Sequence, residues 1–291
     1  MNDQATVLVT GSDGFLGRRL VVYLAAHGFK VIAASRTTSI FEDPNIVAAL
    51  LPDLSTPFDW HPLLQRCDSI VHLAGIAHTS ADQDLYERVN RRATEALAQA
   101  ASRCGKHLVF VSSIAAQSGS SSEHELTEDD PPTPSNAYGR SKLAAEQAVR
   151  AAGVSYTILR PVVVYGNGAK GNFATVHKIS RLPIPLPFGA LTAQRSVLSV
   201  ENFNSAAAVV LTDSRARGET FIVSDPTPLT ISDIIARYRA SLGRPPWLLA
   251  IPERWLELSL KAAGQSSIWQ RIGCPLIARP TKLLALGWKP S

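Results

Sequence analysis

Cysteine is scarce in this chain: Cys67, Cys104 and Cys274 are the only three thiols in 291 residues. Three thiols cannot pair fully, and their spacing fits no zinc pattern. A disulfide scaffold is therefore not expected, and no metal ligands are assigned. The thiols read as free and mostly buried, in a reducing compartment. No run of ~18 apolar residues occurs, so no membrane span is expected. The N-terminus enters a strand-like run almost at once, leaving no room for a signal peptide. A cytoplasmic location is the expectation that follows. The net charge is +5, but Lys and Arg are scattered and form no cluster with interleaved aromatics. A nucleic-acid partner is not expected; an anionic ligand would account for some of the excess. There is no internal repeat, and the one low-complexity run, Ser118–Ser122, reads as a flexible loop.

The chain does carry a regular alternation of apolar strand-like runs and helical patterns through residue 160. This implies parallel βαβ units and an α/β fold with a doubly wound, Rossmann-type sheet. Residues 5–10 form a short β-branched run suited to a buried parallel strand. Gly11-Ser12-Asp13-Gly14-Phe15-Leu16-Gly17 follows, and then a helical pattern through Leu20, Val21 and Leu24. Strand, Gly-x-x-Gly-x-x-Gly and helix together are the context of a dinucleotide cradle. Gly11 permits the turn, Gly14 admits a pyrophosphate, and Gly17 lets the helix pack on the sheet. The helix N-terminus offers the phosphates its free N–H groups.

The second strand ends at Ser35-Arg36, where NAD sites usually carry an acid for the ribose 2′-hydroxyl. Arg36 could accept a 2′-phosphate instead, which favours NADP(H) and leaves NAD(H) possible. Tyr138 and Lys142 lie four residues apart in a segment, 137–150, that reads as helix. They share a face. An ammonium close to a phenol should lower its pKa and suit it to pass a proton to or from a carbonyl or alcohol oxygen.

These motifs resemble the extended short-chain dehydrogenase/reductase family of nucleotide-sugar epimerases, dehydratases and reductases. The resemblance runs over nearly the whole chain. It extends through Asp53-Leu54, Val71-His72-Leu73-Ala74-Gly75, Asn90, Val111-Ser112-Ser113 and Arg160-Pro161-Val162-Val163-Val164-Tyr165-Gly166. By this resemblance Asp53 and Leu54 meet the adenine, Leu73, Ala74 and Gly75 pass the ribose, and Pro161 and Val163 lie beneath the nicotinamide. Phe15, Leu16, Tyr138 and Lys142 complete the cofactor set. Ser113 is the third catalytic group, with Ser112 the alternative. Residues 1–166 would be mainly the NAD(P)-binding domain. Residues 167–291 would be mainly a smaller α/β substrate lobe, with some strands returning to the main sheet.

Segments such as Gly168–Phe173, Leu186–Gly189 and Arg195-Ser196-Val197 are similar to a bacterial subgroup. It comprises UDP-4-keto-6-deoxy-N-acetylhexosamine 4-reductases, often grouped with UDP-glucose 4-epimerases. This implies a UDP-sugar substrate, with Asn172 and Arg195 on the diphosphate. His78 is a further candidate for the sugar pocket. Relatives with 4,6-dehydratase activity carry an acidic pair where this chain has Ile114 and Ala115, so dehydration is not expected. Reductase is the leading expectation and epimerase its rival. A non-nucleotide carbonyl reductase and a non-catalytic NADP sensor stand further back. The resemblance also implies a homodimer, joined through helices near 83–103 and 137–152.

Two C-terminal features stand apart. Thr230-Ile231-Ser232-Asp233 resembles a helix capping box. Trp247–Pro252, followed by Trp255, Leu256, Leu258 and Leu260, forms an apolar stripe. It packs on its own domain, or docks on a membrane surface or partner.

Overall fold

The computed structural model describes residues 4–37, 40–77, 82–166, 168 and 172–291. Its centre is a seven-stranded sheet, built from β1 (Thr6–Thr10), β2 (Lys30–Ser35), β3 (Ile46–Leu50), β4 (Ser69–His72), β5 (His107–Val111), β6 (Ser155–Pro161) and β10 (Thr220–Val223). The order is β10-β6-β5-β4-β1-β2-β3, and every pairing is parallel. Parallel strands covered on both faces need apolar side chains on both faces. Residues 7–9 and 108–110 accordingly have no exposed surface.

Helices cover the two faces. They are α1 (Phe15–Ala26), the short α2 (His61–Leu64), α3 (Gln83–Tyr86), α4 (Ala93–Arg103) and α5 (Ala137–Ala151). One core layer joins α1 to the sheet through Leu20, Val21, Leu24, Val7 and Val9. The other joins α4 and α5 to it through Leu97, Ala98, Ala145, Val149 and Phe110. The strand order reverses direction between β1 and β4. Open α/β sheets bind ligands at the carboxyl ends of the strands at such a point.

Beyond β6 the chain builds a smaller lobe from β7 (Val163–Tyr165), α6 (Asn172–Ser180), β8 (Gln194–Arg195), β9 (Val197–Ser199), β11 (Leu229–Thr230), α8 (Ile231–Ser241), α9 (Glu253–Ala262) and α10 (Ser266–Ile272). Its own core holds Phe173, Leu186, Leu191, Ile235 and Trp269. Three elements of this half return to the main body. β10 pairs with β6, α7 (Val200–Thr212) packs on α1, and α11 (Thr281–Ala285) packs on β10. The expected capping box is present: Thr230 caps the Asp233 N–H, and the Asp233 carboxylate accepts from the Thr230 N–H.

Candidate active site at the sheet switch point

The glycine turn follows β1 directly. Gly11 sits at φ 72°, and a Cβ there would meet the Ala74 nitrogen at 2.8 Å. A Cβ on Gly17 would lie 2.2 Å from the Gly11 carbonyl oxygen. Neither position tolerates a side chain, because turn, helix and β4 end are in backbone contact. The N-cap of α1 is Gly14, which supplies no side-chain cap, and no acid stands in the first turn. The first N–H groups of α1, at Phe15, Leu16 and Gly17, are thus available to an anion. Ser12 is fully buried at the same turn, and its hydroxyl has no hydrogen-bond partner. A backbone cradle closed to side chains, uncapped N–H groups and an orphaned buried hydroxyl together fit a dinucleotide pyrophosphate.

A directed hydrogen-bond chain holds the opposite lip. Thr94 donates its hydroxyl to the Asn90 carbonyl at 2.7 Å. It must therefore accept from His72 Nε2–H at 3.1 Å. His72 Nδ1 then accepts from the Thr10 hydroxyl at 2.7 Å, and Thr10 Oγ1 accepts from the Ala74 N–H at 3.3 Å. Burial, aided by the Lys142 charge, pushes the imidazole down to about 3, so it stays neutral and the chain keeps one direction. Asn90 lies in a π-helical stretch, Glu87–Arg92, between α3 and α4. Such insertions often mark functional sites. Its amide binds the Ile76 N–H and carbonyl at 2.8 and 3.0 Å and the Ser141 hydroxyl at 3.0 Å. The loop carrying Leu73, Ala74 and Gly75 is thereby tied to α5.

At the second strand end, Ser35 is buried with its hydroxyl on the Thr37 carbonyl at 2.6 Å, while Arg36 is exposed. Asp53 is exposed. Its carboxylate accepts from the Ser55 N–H and is held below the usual range by that bond, so it builds a local turn. Leu54 is buried beside it. Pro161 is buried at the end of β6, and Val163 is partly exposed in β7.

Tyr138, Lys142 and Ser113 converge beside β5. Asn136 caps α5 by accepting from the Gly139 N–H at 2.8 Å, which starts the helix so that Tyr138 falls in its first turn. A Cβ on Gly139 would lie 2.1 Å from the Ala115 oxygen. Glycine there lets α5 rest on the 3-10 turn Ile114–Ala116, which Ser113 caps through the Ala115 N–H at 3.2 Å. The two serines part company. Ser112 is buried and donates to Glu146 at 2.6 Å. Ser113 is half-buried, and its hydroxyl is near enough to Tyr138 to pull the phenol's pKa down.

The expected lowering of the Tyr138 pKa by Lys142 is corrected. Burial pushes the phenol above its ordinary value, and the Ser113 hydroxyl only partly opposes this. The ammonium is turned elsewhere: Lys142 Nζ donates to the Val111 carbonyl at 2.7 Å and sits 4.4 Å from the centre of the Phe110 ring. Burial brings Lys142 down to about 8, and the Glu146 charge works in the opposite direction.

Sequence reasoning missed the polar network beneath this triad. Glu146 has no exposed surface and binds Arg160 through two parallel bonds, 2.9 Å from Nε and 2.7 Å from Nη2. Arg160 also donates to Gln117 at 3.0 Å. Gln117 in turn holds the Thr127 carbonyl at 2.5 Å. Glu146 stands four residues beyond Lys142, so its presence on the face of Tyr138 and Lys142 was readable from spacing. Its buried partner was not.

The remaining site expectations fare differently. Arg195 was expected on a diphosphate. Its guanidinium is instead committed to backbone, donating to the Gln270, Cys274 and Ser120 carbonyls at 3.3, 2.5 and 2.7 Å. Burial lowers it to about 10. It staples α10 and the serine-rich loop to β8, which answers the need of a buried cation for acceptors. Asn172 opens α6, with its side chain outside the described residues, and His78 lies outside them altogether. No cluster of metal-ligating side chains occurs among the described residues, and no helix there is long and apolar enough to cross a membrane.

Comparison with known proteins agrees with this geometry. The sequence model of the NAD dependent epimerase/dehydratase family matches residues 7–224. A UDP-glucose 4-epimerase of Vibrio cholerae is 30% identical over 298 residues, spanning 98% of this chain and 90% of that protein. An N-acetyl-alpha-D-glucosaminyl-diphospho-ditrans,octacis-undecaprenol 4-epimerase of Escherichia coli O157:H7 is 28% identical, spanning 84% and 74%. Among solved structures, MoeE5 in complex with UDP-glucose and NAD shares the fold at a TM-score of 0.76, with 21% identity over 98% of this chain and 93% of that one. The glycine cradle, the switch-point site and these matches place the chain in the NAD dependent epimerase/dehydratase family, within the extended short-chain dehydrogenase/reductases.

Proposed function

We propose that this enzyme transfers hydride between a nicotinamide cofactor and C4 of a UDP-linked hexose. The observation that carries the reading is the placement of Ser113, Tyr138 and the buried Lys142 at the carboxyl end of β5, where Ser113 caps the turn that α5 rests on and Lys142 reaches the Val111 carbonyl. The nicotinamide, when bound, supplies or accepts the hydride. Tyr138 gives its proton to the C4 oxygen as the ketone becomes an alcohol. Ser113 hydrogen-bonds that same oxygen and fixes its distance from the phenol. Lys142 holds positive charge under the site. The uncapped start of α1 binds the pyrophosphate.

Two outcomes share this geometry. Net reduction of a 4-keto sugar is supported by the raised Tyr138 pKa, which keeps the phenol protonated and ready to act as an acid. The exposed Arg36, in place of an acid after β2, also supports it, with NADPH as donor. Epimerisation with retained NAD is supported by the Vibrio cholerae relative. Titration with NADPH and NADH, followed by turnover of a UDP-4-keto-6-deoxy-N-acetylhexosamine, separates them. One NADPH oxidised per sugar establishes the reductase. Retained NAD and interconversion of UDP-glucose with UDP-galactose establish the epimerase. Neither activity, with no UDP binding, overturns the proposal.

A further inference from the structure

Eight of the fourteen large apolar side chains exposed among the described residues lie between 182 and 268, in the small lobe. They are displayed by a built device. Arg239 is almost wholly buried and donates to five backbone carbonyls, those of Ser180, Leu182, Ile184, Pro246 and Trp247, at 2.7 to 3.2 Å. It locks together two loops, residues 181–185 and 241–247, that are exposed throughout. Trp247 is held at φ 40°, a conformation that bulky side chains rarely adopt. Leu248 turns into the lobe core, so its neighbours Trp247 and Leu249 face outward, each about half exposed. The chain then enters α9, none of whose residues is fully buried. Leu256 and Leu260 pack inward, while Trp255 and Leu258 are 57% and 60% exposed. Arg254 and Lys261 are exposed one turn to either side of Leu258.

Charge identifies what this face meets. From Tyr238 to Ile272 the exposed cations are Arg244, Arg254, Lys261 and Arg271, and the acids are Glu253 and Glu257 alone. Glu253 accepts from the Thr192 N–H and hydroxyl, and Glu257 pairs with Lys261. With Lys261 paired to Glu257, the surface of this stretch still carries four cations against two acids, a net charge of +2, and a two-fold dimer would set that net charge against itself. A helix with Trp and Leu on one side and Arg and Lys beside them suits the headgroup boundary of a bilayer, where cations are drawn to anionic lipid.

We propose that the α9 face and the two Arg239-stapled loops form a peripheral docking surface for anionic phospholipid bilayers. The inference is independent of the substrate reading. The test is flotation of the full chain with phosphatidylcholine vesicles, with and without phosphatidylglycerol, for the wild type and for Trp255→Ser/Leu258→Ser. Circular dichroism verifies the fold, and light scattering reports the oligomeric state. Binding should require phosphatidylglycerol, weaken with salt, and fall at least about tenfold in the double variant. A second variant, Arg254→Glu/Lys261→Glu, should lose binding while leaving the apolar face intact. The proposal is overturned if the wild type ignores phosphatidylglycerol, or if both variants bind as it does. It is equally overturned if the double variant's main effect is to dissociate an oligomer, which would make the face a self-interface.

Discussion

At the scale of single residues, the site works by deciding where protons rest. Lys142 is brought down to about 8 by burial, against the pull of Glu146. Tyr138 is raised by burial. At neutral pH both are therefore protonated, the state a ketone reduction consumes. The reductive kcat/KM should be flat below pH 7 and fall as Lys142 loses its proton near 8. Replacing Glu146 by Gln removes the charge that favours the ammonium, so this alkaline limb should move to lower pH. Because Arg160 would be left buried without its partner, the variant should also lose about 3–5 kcal/mol of stability. The profile is best recorded where circular dichroism shows it folded. An unmoved limb would detach Lys142 from the titration. Tyr138→Phe removes the proposed proton donor itself. It should cost at least about a hundredfold in kcat while the affinity for cofactor changes little.

At the scale of elements, close backbone approach sets the geometry, and two glycines separate its parts. Gly139→Ala would press a methyl against the Ala115 carbonyl, 2.1 Å away. Helix α5 would have to lift off the 114–116 turn and part Tyr138 from Ser113. A displacement of about 1 Å at reacting groups costs on the order of a hundredfold, so kcat should fall with cofactor affinity retained. Gly17→Ala strikes the Gly11 oxygen, and there the cofactor dissociation constant should rise first. Stopped-flow turnover and fluorescence titration of both variants would show the split, and equal effects on both constants would refute it. Gly17 was legible because its motif is local, whereas the role of Gly139 was not read. Equally legible were the Tyr138–Lys142 face, the β1–α1 turn and the Thr230 cap. The fate of Arg195 was not, because nothing nearby in sequence tells whether a guanidinium meets a ligand or the carbonyls of residues 120, 270 and 274. The resemblance implied that some strands return to the main sheet, but which strand returns and beside which neighbour is decided by contacts between distant segments, as is the pairing of Glu146 with Arg160.

At the scale of the whole molecule, buried histidines link stability to pH. His72 is pushed down to about 3, and His107 to about 4, in both cases mainly by burial. Each is neutral in the folded chain at pH 5, whereas an unfolded histidine, with an ordinary value near 6.5, is largely protonated there. Below about 6.5 the unfolded state therefore binds more protons, and stability falls with falling pH until the folded values are reached. The loss at pH 5 relative to pH 7.5 comes to about 2 kcal/mol for each of the two. His177, also lowered mainly by burial, adds to this loss, while Glu128 works against it, since burial raises its carboxyl and the folded chain gains a proton there as pH falls. The lowered carboxylates Asp53, Glu87, Asp130, Asp213 and Asp233 add their own loss mainly at more acid pH. Urea unfolding at the two pH values should show the drop. His107→Gln should remove about 2 kcal/mol of it, and that ring meets Ser155 and Thr157 at the far end of the sheet from the site. Its activity at pH 7.5 should stay near that of the wild type. A pH dependence that survives in full without His107 would place the linked protons on other groups, and would leave the neutral His72 between Thr10 and Thr94 without support from stability.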